Sequence, residues 1–379
     1  MADDTRVQVL GSYGDVDPAA WDALVADGSP FLEHAFLWGL EEEACATPET
    51  GWGPRPIVVY QGERLVAGAP GWVKAHSMGE FVYDHAWADA AHRAGIEYYP
   101  KLILGVPFSP VTGQRLLVHP DEPREAWLGA LLAGVEAAVE GTRGLHVLFD
   151  TEAEASWLAE RGAFLRLQYQ FHWRNEGYSC FEDFLARFRS KARNKIRRER
   201  RDAQKLEITS KVGPTGEELV ALHDFYTNTC SQFGPWGRVY LSQEMFRRLG
   251  ERWGHRLHTV IARDGDRMVG GALNVVKGKR LYGRYWGYTD AVPFLHFECC
   301  YYQAIDFCIA NGLEVFEPGH GGGHKYRRGF VPTLTYSNHA LVEPRLHDGL
   351  RRYAAQEAAQ VRLKRAELEA ELPLRPRDA

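Results

Sequence analysis

RLYGRYWGYTDAVPFLHFECCYYQAIDFCIANGLEVFEPGHGGGHKYRRGFVPTLTYSNH, from Arg280 to His339, sets the plan of this chain. Leu281 to Tyr288 is an aromatic run that suits a strand, and Asp290 and Pro293 mark a turn after it. Phe297 to Ala310 carries apolar residues at helical spacing, and Asn311-Gly312 stops it. Leu313 to Phe316 reads as a short buried strand. A loop with four glycines in five positions follows, Gly319 to Gly323, broken by His320, and His324, Lys325, Arg327 and Arg328 come directly after it. A last strand runs from Thr333 to about Val342.

The stretch holds more reactive side chains than packing needs: Arg284, Trp286, His296, Glu298, Cys299, Glu317, His320, His324, Lys325 and His339. The helix between the aromatic strand and the strand before the glycine loop lets those two strands lie parallel and adjacent. Ligands in open α/β sheets sit beyond the carboxyl ends of such strands. One cleft is therefore expected between 284–288 and 317–325. Transfer of an acyl group to an amine needs a base for the amine proton and a donor for the oxyanion. Glu298 is the favoured base, with His296 and Glu317 as the other candidates. Arg284, Trp286, Tyr302, His320, Gly321, His324, Lys325, Arg328 and Trp236 are expected to bind substrate, Lys325 through an anionic part of it. Cys299 admits two readings, a thiolate nucleophile at a helix N-terminus or a packed core thiol. His339 reads as a satisfied core histidine. No metal is expected, because the HxxxH spacing of His320 and His324 lies in a glycine loop. The loop matches neither a Walker A nor a dinucleotide fingerprint.

Outward from that stretch, 379 residues point to two domains. A hydrophobic content of 45% with 12% aromatics suits folded cores. The opening MADDTRVQVLG is acidic and has no apolar run, and the most apolar helix, Trp127 to Val139, is too short to span a bilayer. A cytoplasmic protein without a membrane span is expected. Six cysteines without a CxxC pair read as reduced thiols.

The two halves repeat one grammar. IVVYQGERLVAGAPGWV at 57–73 parallels VIARDGDRMVGGALNVV at 260–276, and LHVLFD at 145–150 parallels LEVFEPG at 313–319. Each half offers a hairpin, strand, helix, strand and a strand near a histidine, His172 or His339. The expected fold is α/β (α+β), with mixed sheets flanked by helices in two tandem domains, 1–175 and 176–379. The second includes a basic helix at 187–205 and a charged C-terminal helix at 346–372, which reads as packing back on its own domain.

The run RFRSKARNKIRRERRDAQK, Arg187 to Lys205, holds ten Lys/Arg against Glu199 and Asp202. Phe188, Ala192 and Ile196 share one helical face and leave the rest cationic. Either this is a solvated helix, or Lys191, Arg193, Lys195 and Arg198 bind a phosphate-bearing ligand such as a nucleotide-linked substrate, coenzyme A or tRNA.

SPFLEHAFLWGLEE, VPFSPVTGQRLL, SKARNKIRRERR, GPWGRVYL, GRYWG, LHFECCYY and FEPGHGGGHKYRRGFVPTLTYSNH together resemble a bacterial family of N-acyltransferases described as peptidoglycan biosynthesis/recognition proteins, similar to the FemAB aminoacyltransferases. The resemblance covers nearly the whole chain. It implies two tandem GNAT-like (acyl-CoA N-acyltransferase-like) domains. It also implies an acyl- or aminoacyltransferase that acts on an amine of a cell-wall precursor or another small molecule. No bound cofactor is implied; the acyl donor, acyl-CoA or aminoacyl-tRNA, is a cosubstrate. The GNAT coenzyme A loop Q/R-x-x-G-x-G/A is absent in clean form, which leaves the donor open. Two other readings stand beside the transferase: a non-catalytic binder of peptidoglycan fragments or nucleotide-linked sugars, and a tRNA-binding protein.

Overall fold

The computed structural model describes residues 4–234 and 237–375. They form two α/β units. The first comprises residues up to Gln168 together with Leu334–Leu363, and the second Tyr169–Thr333 together with the chain from Lys364. The division into 1–175 and 176–379 is corrected in this respect: the chain returns to the first unit after Thr333. Strand pairing is the reason. Phe164–Arg174 pairs with Val315–Glu317 in the second unit, through Trp173 opposite Phe316. Val331–Leu341 pairs with Gly144–Asp150 in the first. Each half of the sequence thus ends on a strand that completes the sheet of the other unit.

In the second unit the strand order is Glu207–Val212, Leu257–Asp264, Arg267–Lys277, Arg280–Tyr288, Val315–Glu317 and Phe164–Arg174. All neighbours are antiparallel except Arg280–Tyr288 with Val315–Glu317, which run parallel as the intervening helix requires. One face of the sheet carries helix Gly216–Ser231, which Thr215 and Glu218 start with reciprocal capping bonds. This helix lies directly on a glycine pair, Gly271 opposite Gly287. A Cβ on Gly287 would stand 1.8 Å from the Phe225 carbonyl oxygen. The other face buries Leu281, Phe316 and Trp173 under the aromatic helix Phe181–Ala186, the basic helix Ser190–Ala203 and the helical segment that follows the turn. Leu368 of the C-terminal helix joins this core, and Leu374 packs against it. That helix spans Pro344–Ala370, and the expectation that it packs on the second domain alone is corrected: Leu346, Leu350 and Ala354 belong to a core of the first unit, with Trp87 and Phe164.

The segment expected as one helix from Phe297 starts at Leu295 and contains a π-turn, Glu298–Tyr302, before Gln303–Ala310. Such turns add a residue and rotate the side chains beyond them. The following strand begins at Val315 instead of Leu313, because the Leu313 N–H bonds the Cys308 carbonyl of the helix C-terminus.

In the first unit the sheet Val331–Leu341, Gly144–Asp150, Lys101–Leu104, Gly71–Lys74 and Trp52–Pro54 repeats the parallel pairing, with Leu102 opposite Leu145. A four-stranded sheet of Thr5–Val9, Ile57–Gln61, Arg64–Ala69 and Leu117–Val118 carries the first hairpin. That hairpin bulges at Val66, since Val59 faces Ala67 and Tyr60 faces Leu65. The second unit's hairpin bulges at Val269 in the same way. The two valines occupy the same place in the repeated sequences at 57–73 and 260–276. Lys101 is fully buried and donates to Glu80 at 2.8 Å and to Asp84. Among the described residues no helix is long and apolar enough to cross a membrane.

Gly287→Ala forces a methyl group into the backbone of helix Gly216–Ser231, where no side chain can swing away. The expected outcome is a loss of about 1–3 kcal/mol or more, read as a lower midpoint in urea unfolding.

Candidate functional site

The parallel pairing of the second unit lasts three residues, Arg280 to Tyr282 against Val315 to Glu317, and then the strands part. Two features hold them open. Arg284 is a bulge on the first strand, because Leu273 faces Tyr285 and Asn274 faces Gly283. A bulge bends its strand and leaves one residue outside the ladder. On the other side the chain leaves the sheet through Pro318 and Gly319. A Cβ on Gly283 would meet the Pro318 Cα at 3.2 Å, and one on Gly319, where φ is +84°, would meet the Gly283 carbonyl at 3.3 Å. Glycine at both positions permits this close passage of two backbones.

Lys325 sits at this opening and is 3% exposed. Its Nζ donates to the Gly319 carbonyl at 2.7 Å and to those of Pro318 and His320 at 3.4 Å. Among the described residues it makes no ion pair. Burial pushes its amine down from 10.5 to about 7, against a small opposing effect of Cys300. The Lys325 charge contributes to lowering His172 beside Glu317, and His296, His320 and His324 beside the aromatic strand. Burial is the larger cause for all four histidines, and it leaves His296 at about 3 and His320 and His324 at about 4. All three of the latter are neutral at physiological pH.

On the strand before the glycine loop, Glu317 is buried and its Oε1 accepts from Arg280 at 2.7 Å. Among the described residues its Oε2 has no hydrogen-bond partner, and it lies 3.9 Å from Nε2 of His172. Trp286, His296, Tyr301 and His324 form a wall of rings: Trp286 to His296 is 5.1 Å between centroids and His296 to His324 is 5.5 Å. The Tyr301 hydroxyl and Nε2 of His324 are 2.8 Å apart. The arrangement offers an open strand edge, a partly neutral lysine, a carboxylate oxygen without a partner and an uncharged aromatic wall.

The sequence profile of the FemAB-like family, described as peptidoglycan biosynthesis/recognition, matches residues 12–376. The chain belongs to the FemAB-like family. Among solved structures, FemX is similar to it with a TM-score of 0.56 and 12% identity, over 91% of this chain and 100% of that one. L-PGS from Bacillus licheniformis is similar with a TM-score of 0.53 and 9% identity, over 94% and 98% of the two chains. Comparison with curated proteins finds no match. The expected class, α/β with mixed sheets flanked by helices, is the fold of this FemAB-like chain.

The strand, helix and loop that border the opening carry Arg284, Trp286, His296, Glu317, His320, Gly321, His324 and Lys325. They do not bring Glu298 there, and the expectation that Glu298 and Glu317 share a cleft is corrected. Glu298 is fully buried and accepts from Gln303 at 2.8 Å, Arg200 at 3.2 Å and Gln204 at 3.4 Å. It lies on the π-turn, which aims it at the basic helix. Tyr302 and Arg328 are likewise tied elsewhere. Both bind Glu199, Arg328 with Nη2 at 2.9 Å from each carboxylate oxygen, and the Arg328 guanidinium lies 3.3 Å over the Phe297 ring. Cys299 is a core thiol whose pKa burial raises, which removes the nucleophile reading. His339 is satisfied in the first unit by His146 and Ser337. Trp236 lies outside the described residues.

His172 and Arg280 were not among the sequence candidates. A signal for His172 exists: Gln170, His172 and Arg174 alternate with Tyr169, Phe171 and Trp173, so one strand face is polar. That face meets Glu317 because Trp173 pairs with Phe316.

The first unit's matching opening is filled by its own chain. There the parallel pairing ends at Leu104 and Val147. The buried Arg115 guanidinium donates to the carbonyls of Leu148 and Val111, each at 2.8 Å, and the Gly113 N–H bonds the Phe149 carbonyl.

The lowered Lys325 pKa links pH to stability. Between about 7 and 10.5 the unfolded chain holds a proton that the folded chain has released, so raising the pH favours folding. The unfolding free energy of the wild type should therefore rise across that window relative to Lys325→Met, in chemical denaturation at matched pH values. Parallel curves for the two proteins count against a depressed amine.

Proposed function

We propose that this FemAB-like protein is an acyl- or aminoacyltransferase that works at the strand opening of its second unit. The acceptor is an amine of a cell-wall precursor or another small molecule, and the donor is an aminoacyl-tRNA or an acyl-CoA. Both donors are made in the cytosol, so the reading makes the protein cytoplasmic. The observation that carries it is the open edge beyond Tyr282 and Glu317, with buried Lys325 set in the glycine loop.

In this reading the acceptor amine attacks the donor's carbonyl carbon. A C–N bond forms, and the C–O bond of an ester or the C–S bond of a thioester breaks. Glu317, through its unpartnered Oε2, takes the amine proton, and the departing hydroxyl or thiol receives a proton in return. Protonated Lys325, with exposed backbone N–H groups of the parted strand, stabilises the negative charge that develops on the carbonyl oxygen. The neutral wall of Trp286, His296 and His324 orients the acyl group without competing for the proton.

The test offers charged tRNA or acetyl-CoA with amine-bearing cell-wall precursors and reads acyl addition by mass spectrometry. Glu317→Gln should lower kcat by about 10²–10⁴, and Lys325→Met by about 10²–10³. Glu298→Gln should destabilise the fold while leaving kcat per folded molecule within a few-fold. Precursor binding without transfer from either donor overturns the transferase and leaves the binding-protein reading.

A further inference from the structure

We infer that, given Glu317 as the base of the proposed transfer, His172 is its positioning residue: the Nε2–H of His172 steadies Oε2 of Glu317 and aims the free lone pair of that oxygen at the strand opening.

Strand register brings the two side chains together. Arg174 pairs with Val315 and Trp173 with Phe316, so the next position along sets His172 directly across from Glu317. Residues directly opposite in an antiparallel pair project to the same sheet face, with Cβ atoms about 4.5–5.5 Å apart. Both side chains are buried, and Nε2 of His172 lies 3.9 Å from Oε2 of Glu317 and 3.4 Å from Oε1 of Gln170. Both of these neighbours are acceptor oxygens, which puts the ring proton on Nε2. Arg280 already holds Oε1 of Glu317. A second donor at Oε2 fixes the carboxylate plane, and Oε2 keeps a further lone pair for the incoming amine. Hydrogen bonds of catalytic groups are often long in the free protein and tighten once substrate fills the site.

The first unit holds a histidine that only packs. His339 stands across from His146 in its own strand pair, and both of its ring nitrogens are closed, Nδ1 at 2.8 Å from His146 Nδ1 and Nε2 at 2.9 Å from Ser337 Oγ. Nε2 of His172 has only the two longer contacts, and it faces a buried carboxylate oxygen that has no partner among the described residues. Leaving that oxygen unpaired costs stability, and an apolar cross-strand pair would avoid the cost. A pair kept in this state suits a proton acceptor better than a core.

The surrounding charges set the form of His172. Burial holds its pKa below the usual 6.5, Glu317 pulls the other way, and Arg280, Arg174 and Lys325 add to the depression. Tyr282, also beside Glu317, is raised by burial and stays neutral. His172 is therefore neutral at physiological pH and offers one N–H. In more acid solution it becomes an imidazolium that pairs with Glu317, and the carboxylate loses affinity for the amine proton.

Two measurements test this, one of them without turnover. Nuclear magnetic resonance of the histidine-labelled full chain should show the His172 proton on Nε2 at neutral pH, its signal identified by its loss in His172→Gln. Glu317→Gln should lower the His172 titration midpoint by about one pH unit or more. A proton on Nδ1, or a midpoint that Glu317→Gln leaves in place, overturns the role whether or not the protein transfers an acyl group. In the transfer assay His172→Phe removes one hydrogen bond to a charged group, and should lower kcat by about 10–100-fold with KM within about three-fold. His172→Gln keeps an N–H at the same reach. It should restore kcat to within a few-fold of the wild type and move the acid limb of the pH profile to lower pH, because no imidazolium forms. Equal losses in the two variants, or an acid limb unchanged in His172→Gln, reduce His172 to a packing residue. No transfer by the wild type from either donor overturns the proposed function and this role with it, while the resonance result separately establishes or removes the coupling between His172 and Glu317.

Discussion

The second unit depends on two parallel strands that pair for three residues and then separate. Parting a sheet is costly, because backbone N–H and C=O groups lose their ladder partners. The molecule offsets that cost locally. The Lys325 amine takes up the carbonyls of Pro318, Gly319 and His320, and the bulge at Arg284 carries the first strand away without breaking its pairing to Arg267–Lys277. Glycine at 283 and 319 lets the two backbones pass at the point of divergence. Among the described residues no carboxylate pairs with the buried lysine, and burial depresses its pKa.

Buried ion pairs hold the surroundings of that opening in register. Glu199 receives the Arg328 guanidinium and the Tyr302 hydroxyl, which ties the basic helix both to the turn after Lys325 and to the helix after the aromatic strand. Glu298 with Arg200 makes a second tie between the same two helices. Replacing a buried pair by apolar groups is often neutral, whereas removing one partner strands a charge at a cost of about 3–5 kcal/mol. These pairs therefore specify geometry more than they add stability.

The two units show how one fold hosts different contents. Both carry the hairpin with the same bulged valine, and both pair a parallel strand across a helix. In the first unit Arg115 reaches into the place where the strands part and bonds the carbonyl of Leu148. In the second a glycine loop and Lys325 occupy the border and leave the strand edge open. Shared topology carries no chemistry by itself; the side chains at the strand ends do.

The sequence by itself determined the hairpins, the helix stop at Asn311-Gly312, the glycine loop, the duplicated α/β plan and the family, and it picked out Lys325 and Glu317. Those features are local: they follow from period, turn residues and composition within short windows. Only the tertiary structure decided that Glu298 serves Arg200, that Arg328 and Tyr302 serve Glu199, and that His172 stands by Glu317. Apolar periodicity marks a helix position as buried without naming what it is buried against, and the π-turn at Glu298–Tyr302 rotates the later positions away from an ideal helical wheel. The exchange of the last strands between units was illegible for a related reason. A strand's pattern records which of its faces is apolar, and the choice of edge on which it pairs is made by contacts far away in the chain.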